Sequence, residues 1–343
     1  MRIERFHFFS SVSPVKTRSR GLRPRTELFR LRTWLCAAML AIFACTALMA
    51  QPKNYTKIVV FGDSLSDTGN VGQLVLQKYP TCGPLTCLDY DAGRITDGAY
   101  TIPAAKNYFG VWIEQLAAEL PANPEILDSL NGGTNYSYAY ATTGNGTSEL
   151  CYVDCSVYSV EVENIGQQIS DYLSTHPTIN RHTLFVIWGG ADNLLQATSV
   201  NDVINGAIEE SFDIQRLIEA GATQILVPNL PPLGLTPRFN GSLTSRLTAS
   251  TASALYNSYL AAGISILKDL YARKHMKIYQ LDVFDLMRNV VAHPAAYSLT
   301  NVTDASQGDI YANPDKYLFW DDLHPTTRGH NILANAALRV LSH

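Results

Sequence analysis

The sequence lacks any low-complexity stretch or internal repeat, and it has no surplus of positive charge outside its first segment. Its 343 residues include 26 Lys or Arg and 30 Asp or Glu, for a formal charge of −4. Nine of the basic residues but only two acidic ones fall within residues 1–32, so the remainder is distinctly acidic. This distribution argues against nucleic acid as a partner. The even composition after residue 50 predicts one domain over residues 51–343.

Several enzyme signatures are also missing. The chain contains no G-x-S-x-G, H-E-x-x-H or G-x-G-x-x-G string and no P-loop. Their absence argues against an α/β-hydrolase, a zinc protease and nucleotide-dependent chemistry. We therefore expect no metal ion and no other cofactor.

The N-terminal segment has the pattern of an export signal. A basic stretch ends at Arg32, and an uncharged apolar run follows from Thr33 to Ala50. This pattern predicts a signal peptide over residues 1–50, cleaved near Ala50. Because the run is just long enough to span a bilayer, an uncleaved N-terminal anchor over residues 33–50 stays open. The expected location is secreted or periplasmic, or membrane-anchored if the run is retained.

Cysteines are few, and those outside the leader form an even set: Cys82, Cys87, Cys151 and Cys155. Their spacings could hold zinc, but an exported chain favours two disulfides. We expect local bridges between Cys82 and Cys87 and between Cys151 and Cys155, although other connectivities remain open.

The hydrophobic pattern predicts an α/β fold with a parallel sheet wrapped by helices. Short β-branched or apolar runs at residues 57–61, 183–188, 223–228 and 277–281 read as strands. Between them, apolar residues recur at helical spacing at residues 109–120, 161–175, 200–220, 245–274 and 326–341. In such sheets the ligand crevice lies beyond the carboxyl ends of the strands, so the residues after each strand deserve inspection.

The first strand leads directly to a serine. Gly62 stands at its end, and Ser64 follows at the expected start of a helix, where backbone N–H groups could face an anion. A lone G-D-S triplet also fits a simple helix cap. Ser64 becomes a nucleophile only if a base accepts its proton.

The best candidate for that base lies near the C-terminus. Asp321 precedes His324 by three residues, and Pro325 breaks the segment before the last helix. A turn at this spacing brings a carboxylate onto one imidazole nitrogen and leaves the other free to face Ser64. Asp322 is the alternative carboxylate. The other histidines lack this context.

Together these segments resemble the SGNH, or GDSL, hydrolases, a family of secreted lipases, esterases and acylhydrolases. Further matches are G-R-x-x-x-G at residues 93–98, W-x-x-x-L at 112–116, N-L-P-P at 229–232 and Tyr256-Asn257. The resemblance implies a three-layer α/β/α, flavodoxin-like fold with a mostly parallel sheet of about five strands. It also implies a Ser64–His324–Asp321 mechanism.

Two departures from the family pattern affect the oxyanion hole, the donors that stabilise the substrate oxygen. Tyr140 stands where the family has glycine, so its N–H can donate only if its side chain avoids the substrate and its backbone needs no positive φ. Gly144 is a second candidate. Further along, Asp192 and Asn193 are transposed relative to the family's G-x-N-D. We favour Asn193 as the third donor, beside the N–H of Ser64, because an ionised aspartate cannot donate; Asp192 is the alternative.

The resemblance implies hydrolysis of carboxylic esters, either of lipids or of short acyl chains. A carbohydrate acetylesterase and a catalytically impaired binding protein that retains the fold remain alternatives. Five tyrosines in residues 136–158 could line an acyl or sugar pocket, although their alternation also fits a half-buried strand. The expected partner is a small-molecule or lipid ester, with peripheral contact to lipid, and the expected state is a monomer.

Overall fold

The fold is built on a central parallel sheet, as seen in a computed structural model that describes residues 55–81, 93–101, 107–151 and 159–342. The strands are β1 (Lys57–Gly62), β2 (Ala99–Thr101), β3 (Asn107–Phe109), β4 (Thr147–Cys151), β5 (Ser159–Glu163), β6 (Thr183–Trp188), β7 (Gln224–Pro228), β8 (Lys277–Leu281), β9 (Asn301–Ala305) and β10 (Tyr317–Phe319). The helices are α1 (Asn70–Lys78), α2 (Trp112–Glu119), α3 (Ile165–Thr175), α4 (Ala191–Gln196), α5 (Val200–Glu219), α6 (Pro237–Asn240), α7 (Leu243–Leu270), α8 (Val283–Ala292) and α9 (Thr327–Leu341).

The four strands expected from the apolar runs form one sheet in the order β1-β6-β7-β8. All neighbouring pairs are parallel, which confirms the predicted sheet type. Every residue of β6 is buried, as a strand covered on both faces requires. Gly62 pairs with Trp188, so β1 and β6 end side by side.

Within the described residues the sheet has four regular strands rather than about five, and an irregular segment lies beside β1. Val60 donates its N–H to the carbonyl of Thr134 at 3.0 Å, and Tyr136 donates to the carbonyl of Val60 at 2.8 Å. Tyr138 continues the pattern to the carbonyl of Gly62 at 3.2 Å. The tyrosine-rich stretch thus follows the edge of the sheet without forming a regular strand.

Helices cover both faces of the sheet, which confirms the α/β/α layering. Side chains of β1 alternate between the faces, with Phe61 on one and Val60 on the other. The Phe61 face packs against α3, α5 and α7, through residues such as Ile169. The Val60 face packs against α2 and α9, through residues such as Trp112 and Leu333.

Two local expectations were wrong. The helical pattern at residues 161–175 is split at Asn164, which lies between β5 and α3 and accepts a hydrogen bond from the N–H of Thr142 at 2.9 Å. Ser64 does not begin a helix, since residues 63–68 form a turn and α1 starts at Asn70. The other expected helices, α2, α5, α7 and α9, lie within a few residues of the predicted ranges.

Replacement of Gly190 by alanine should strongly destabilise the fold. Gly190 has a φ of 99°, and a Cβ there would lie 2.3 Å from the ring of Tyr256. We expect a loss of about 3 kcal/mol or more in the free energy of unfolding, from overpacking and backbone strain together. Gly221 is the matched control, because its φ is 107° but nothing lies within 4 Å of its Cβ position. Urea unfolding of Gly221→Ala should show a loss of only about 1 kcal/mol, and equal losses in the two variants would contradict the packing explanation.

Candidate active site

The segment that carries Ser64 is held at the end of β1 by a side chain from α3. The Gly62 N–H donates to Oε1 of Gln168 at 2.9 Å, and Nε2 of Gln168 donates back to the Gly62 carbonyl at 3.0 Å. A Cβ on Gly62 would lie 2.9 Å from the carbonyl oxygen of Trp188, so a larger residue would push the two strand ends apart.

Two buried carboxylates shape the turn after Ser64. Asp63 accepts the Leu65 N–H at 3.0 Å. Asp67 accepts four backbone N–H groups, three from the start of α1 and one from Ala139 at 3.1 Å. Burial raises the pKa of Asp67 to about 6, although these hydrogen bonds oppose the shift. The turn is therefore fixed both to α1 and to the segment along β1.

Ser64, His324 and Asp321 meet at the carboxyl end of the sheet. Nε2 of His324 lies 2.9 Å from Oγ of Ser64, and Nδ1 of His324 lies 2.7 Å from Oδ2 of Asp321. The other oxygen of Asp321 accepts the N–H groups of Leu323 and His324 at 2.8 and 2.6 Å. This geometry allows the imidazole to accept a proton from the hydroxyl while the carboxylate fixes its orientation.

The electrostatics around Asp321 favour its ionised form. Burial alone would raise the pKa of this carboxyl, but the charge of His324 and the hydrogen bonds from His324 and Leu323 lower it to about 2. Asp322 faces elsewhere and forms a two-pronged ion pair with Arg238, at 2.9 and 3.0 Å. Of the two candidate carboxylates, Asp321 is the one that contacts His324.

Two backbone N–H groups near Ser64 are open to a ligand. Those of Ser64 and Tyr140 donate to no acceptor within the described part of the chain. Tyr140 has a φ of 74° and lines the cavity, so both conditions set from the sequence were wrong; its N–H still has no acceptor among the described residues and stays available to a ligand. A tyrosine in this left-handed conformation costs about 1 kcal/mol. Gly144 lies outside the cavity lining, and its carbonyl accepts the Gly166 N–H.

Asp192, and not Asn193, faces the cavity that contains Ser64. Asp192 is 6% exposed and belongs to the cavity lining. Asn193 points away, with Oδ1 accepting the Thr143 N–H at 3.0 Å and its amide packed against Gly206. The expectation that Asn193 supplies the amide donor was therefore wrong. Consecutive residues of a helix point in different directions, so with Asp192 at the cavity Asn193 cannot also face it.

The cavity has a volume of about 540 Å³ and a largely apolar wall. Its apolar residues include Leu65, Val71, Ile95, Leu195, Leu233, Met287 and Phe319. Of the described tyrosines in the alternating stretch, only Tyr140 lines it, whereas Tyr138 is buried in the core and Tyr136 packs against that core. Tyr152 and Tyr158 lie outside the described residues.

The G-R-x-x-x-G and W-x-x-x-L strings are joined by a partly buried ion pair. Nε of Arg94 lies 2.9 Å from both carboxylate oxygens of Glu114, and Oε2 of Glu114 also accepts the N–H of Val111. This pair anchors the start of α2 to the segment after Gly93, which borders the cavity.

Several residues that build the site were not identified from the sequence. They are Asp67, Asn70, Gln168 and Arg238. Asn70, for example, donates through Nδ2 to the carbonyls of Asn135 and Ser137, at 2.8 and 2.9 Å. The spacing of Asp67 and Asn70 after Ser64 carried a weak signal for a helix start, but no local pattern marks Gln168 or Arg238.

Some expectations fall on parts of the chain that the structure does not describe. Residues 1–54 lie outside the described residues, as do Cys82, Cys87 and Cys155. The signal peptide and the disulfide pairing therefore stay predictions. Across the described ranges, no helix is long and apolar enough to cross a membrane, and no three His, Cys, Asp or Glu side chains are grouped to hold a metal ion.

Comparison with known proteins gives consistent matches. The model of the family described as GDSL-like Lipase/Acylhydrolase matches residues 58–337. Esterase EstA of Pseudomonas aeruginosa is 30% identical, over 90% of this chain and 50% of its own length, so the chain spans half of that relative. GDSL esterase/lipase EXL2 of Arabidopsis thaliana is 25% identical, over 84% and 89%. The crystal structure of Axe2, an acetylxylan esterase from Geobacillus stearothermophilus, aligns with a TM-score of 0.40 and 14% identity, over 86% and 96% of the two chains.

Proposed function

Because this chain belongs to the GDSL-like lipase/acylhydrolase family, we propose that it is a serine hydrolase that cleaves carboxylic esters with apolar acyl chains. The observation that carries this proposal is the 2.9 Å contact between Nε2 of His324 and Oγ of Ser64 at the wall of a mostly apolar cavity.

The proposed reaction is acyl transfer through an acyl-enzyme. Oγ of Ser64 attacks the ester carbonyl carbon while Nε2 of His324 takes the hydroxyl proton. Asp321, ionised across the working pH range, stabilises the imidazolium that forms. His324 then gives the proton to the departing alcohol oxygen. In the second half of the reaction, a water molecule attacks the acyl-enzyme carbonyl while His324 takes its proton. His324 returns a proton to Oγ of Ser64 as the acid is released.

The N–H groups of Ser64 and Tyr140 are the proposed backbone donors to the oxyanion. Both are unoccupied by other acceptors in the described residues, and both lie at the cavity. Removal of one such donor typically slows turnover by about 10²- to 10³-fold. The strained backbone at Tyr140 is explained if its N–H must point into the site.

The proposed setting is outside the cytoplasm. Support comes from the basic and apolar leader over residues 1–50 and from the even set of four cysteines that follows it. We propose that the protein acts as a monomer, with its ester substrate reached in solution or at a lipid surface.

A series of synthetic esters with acyl chains from acetate to palmitate tests this function. We expect the ratio kcat/KM to rise from acetate toward medium chains, because the apolar wall buries added methylene groups at about 0.8 kcal/mol each. Release of acetate from acetylated glycans, with no turnover of longer esters, would instead identify a carbohydrate acetylesterase. Folded protein that turns over none of these esters would identify a binding protein.

A further inference from the structure

We propose that the side chain of Asp192, in its protonated form, is the third donor to the oxyanion, in the position that an amide was expected to fill. This inference rests on the proposed ester hydrolysis and assigns a residue within it. It predicts an enzyme that loses activity when a carboxyl group in its own site ionises.

The position of Asp192 supports this role. Ser64 follows the end of β1 and Asp192 follows the end of β6, and these two strands end side by side at the Gly62–Trp188 pair. Both residues line the same cavity. Asp192 is 6% exposed, and its carboxyl has no hydrogen-bond partner among the described residues. A buried polar group without a partner is costly unless a ligand supplies one.

The surroundings favour the neutral acid. Burial, followed by the negative charge of Asp63, raises the pKa of Asp192 well above its ordinary value, and Arg238 opposes the shift. Arg238 directs Nε and Nη2 at Asp322, so much of its hydrogen-bonding capacity is already used. His324 shares the cavity.

Two helices pack against α4 and bring further titratable groups. From α5 comes Glu210, fully buried, whose pKa burial raises to about 8. From α7 comes Tyr256, whose hydroxyl donates to Glu210 at 2.6 Å. Asp63 has one carboxylate oxygen that is buried and unpaired in the described structure. Arg238, on α6, is the one cation among the described residues whose charge acts on Asp192, so the local field disfavours a second negative charge.

The chemistry follows from the charge that develops in the transition state. When Ser64 attacks, the carbonyl oxygen gains negative charge, and the O–H of Asp192 can donate to it alongside the N–H groups of Ser64 and Tyr140. The proton stays on Asp192, while the proton from Ser64 travels through His324 to the leaving alcohol. An ionised Asp192 would repel the same oxygen instead of binding it.

The pH profile of Asp192→Asn tests the inference. For the wild type we expect kcat/KM on a soluble short-chain ester to decline at alkaline pH, as Asp192 ionises. Asp192→Asn keeps a neutral donor, so the alkaline decline should disappear, and the variant should exceed the wild type at least about 10-fold at the alkaline end. Asp192→Ala should be slower by about 10²-fold at the optimum pH.

Glu210→Gln is the matched control, because it removes a buried carboxyl that faces the same region without lining the cavity. It should retain the alkaline decline. Circular dichroism at both ends of the pH range checks that each variant is folded. An Asp192→Asn profile that matches the wild type would overturn the inference, as would a 10²-fold loss in Asn193→Ala but not in Asp192→Ala. Neither outcome affects ester hydrolysis itself, whereas a wild type without turnover at any pH removes the proposed function.

Discussion

Ser64→Ala is expected to reduce ester hydrolysis by at least about 10⁴-fold while leaving the protein folded. The Ser64 hydroxyl is the only group of that side chain that can attack a carbonyl, and its loss leaves only binding and oxyanion stabilisation. The hydroxyl has one contact of 2.9 Å with His324 in the described structure. Its removal should therefore change the melting temperature little.

A fluorophosphonate probe separates loss of the nucleophile from loss of the fold. The wild type should be labelled and Ser64→Ala should not. Ser66→Ala provides a comparison two residues away, since its hydroxyl is buried and accepts a hydrogen bond from the indole N–H of Trp112 at 3.1 Å. Ser66→Ala should lower stability but retain labelling. A folded wild type that remains unlabelled would exclude an activated serine.

Asp321→Asn is expected to lower kcat by about 10⁴-fold, the size of effect known for loss of the orienting carboxylate in Ser-His-Asp sites. An amide in this position can donate to Nδ1 of His324 and so impose the wrong tautomer. It also removes the negative charge that stabilises the imidazolium.

Asp322→Asn is the matched control for this prediction. It removes the same charge from the next residue, where the carboxylate contacts Arg238 in an exposed ion pair. Exposed pairs contribute less than about 1 kcal/mol, so kcat should stay within about fivefold of the wild type. Steady-state kinetics of the two variants decides the assignment, and a larger loss in Asp322→Asn would reverse it.

The sequence was sufficient to predict the features that neighbouring residues determine. The strands β1, β6, β7 and β8 are short, mainly apolar runs, and the burial of their apolar residues follows from that composition. The contact between Asp321 and His324 was also predictable from their spacing, because a turn of three residues is enough to bring the carboxylate to the imidazole ring.

The sequence was not sufficient to predict side-chain directions and backbone angles that residues far along the chain determine. Whether Asp192 or Asn193 faces the cavity depends on the rotation of α4, and that rotation is limited by Gly206 on α5 and Tyr256 on α7. The positive φ of Tyr140 arises in the same way, from a segment pinned to β1 and to Asp67. Neither constraint is visible in the residues next to the position concerned.

Ser64 and His324 are 260 positions apart, and the histidine lies on the connection from β10 to α9. If Ser64 and His324 act as proposed, a growing chain contains the nucleophile long before the base, because residue 324 is synthesised near the end. On the proposed mechanism, turnover begins only after the segment from β10 to α9 has packed against the rest of the fold. Esterase activity could therefore serve as a direct reporter of completed folding in refolding or translation experiments.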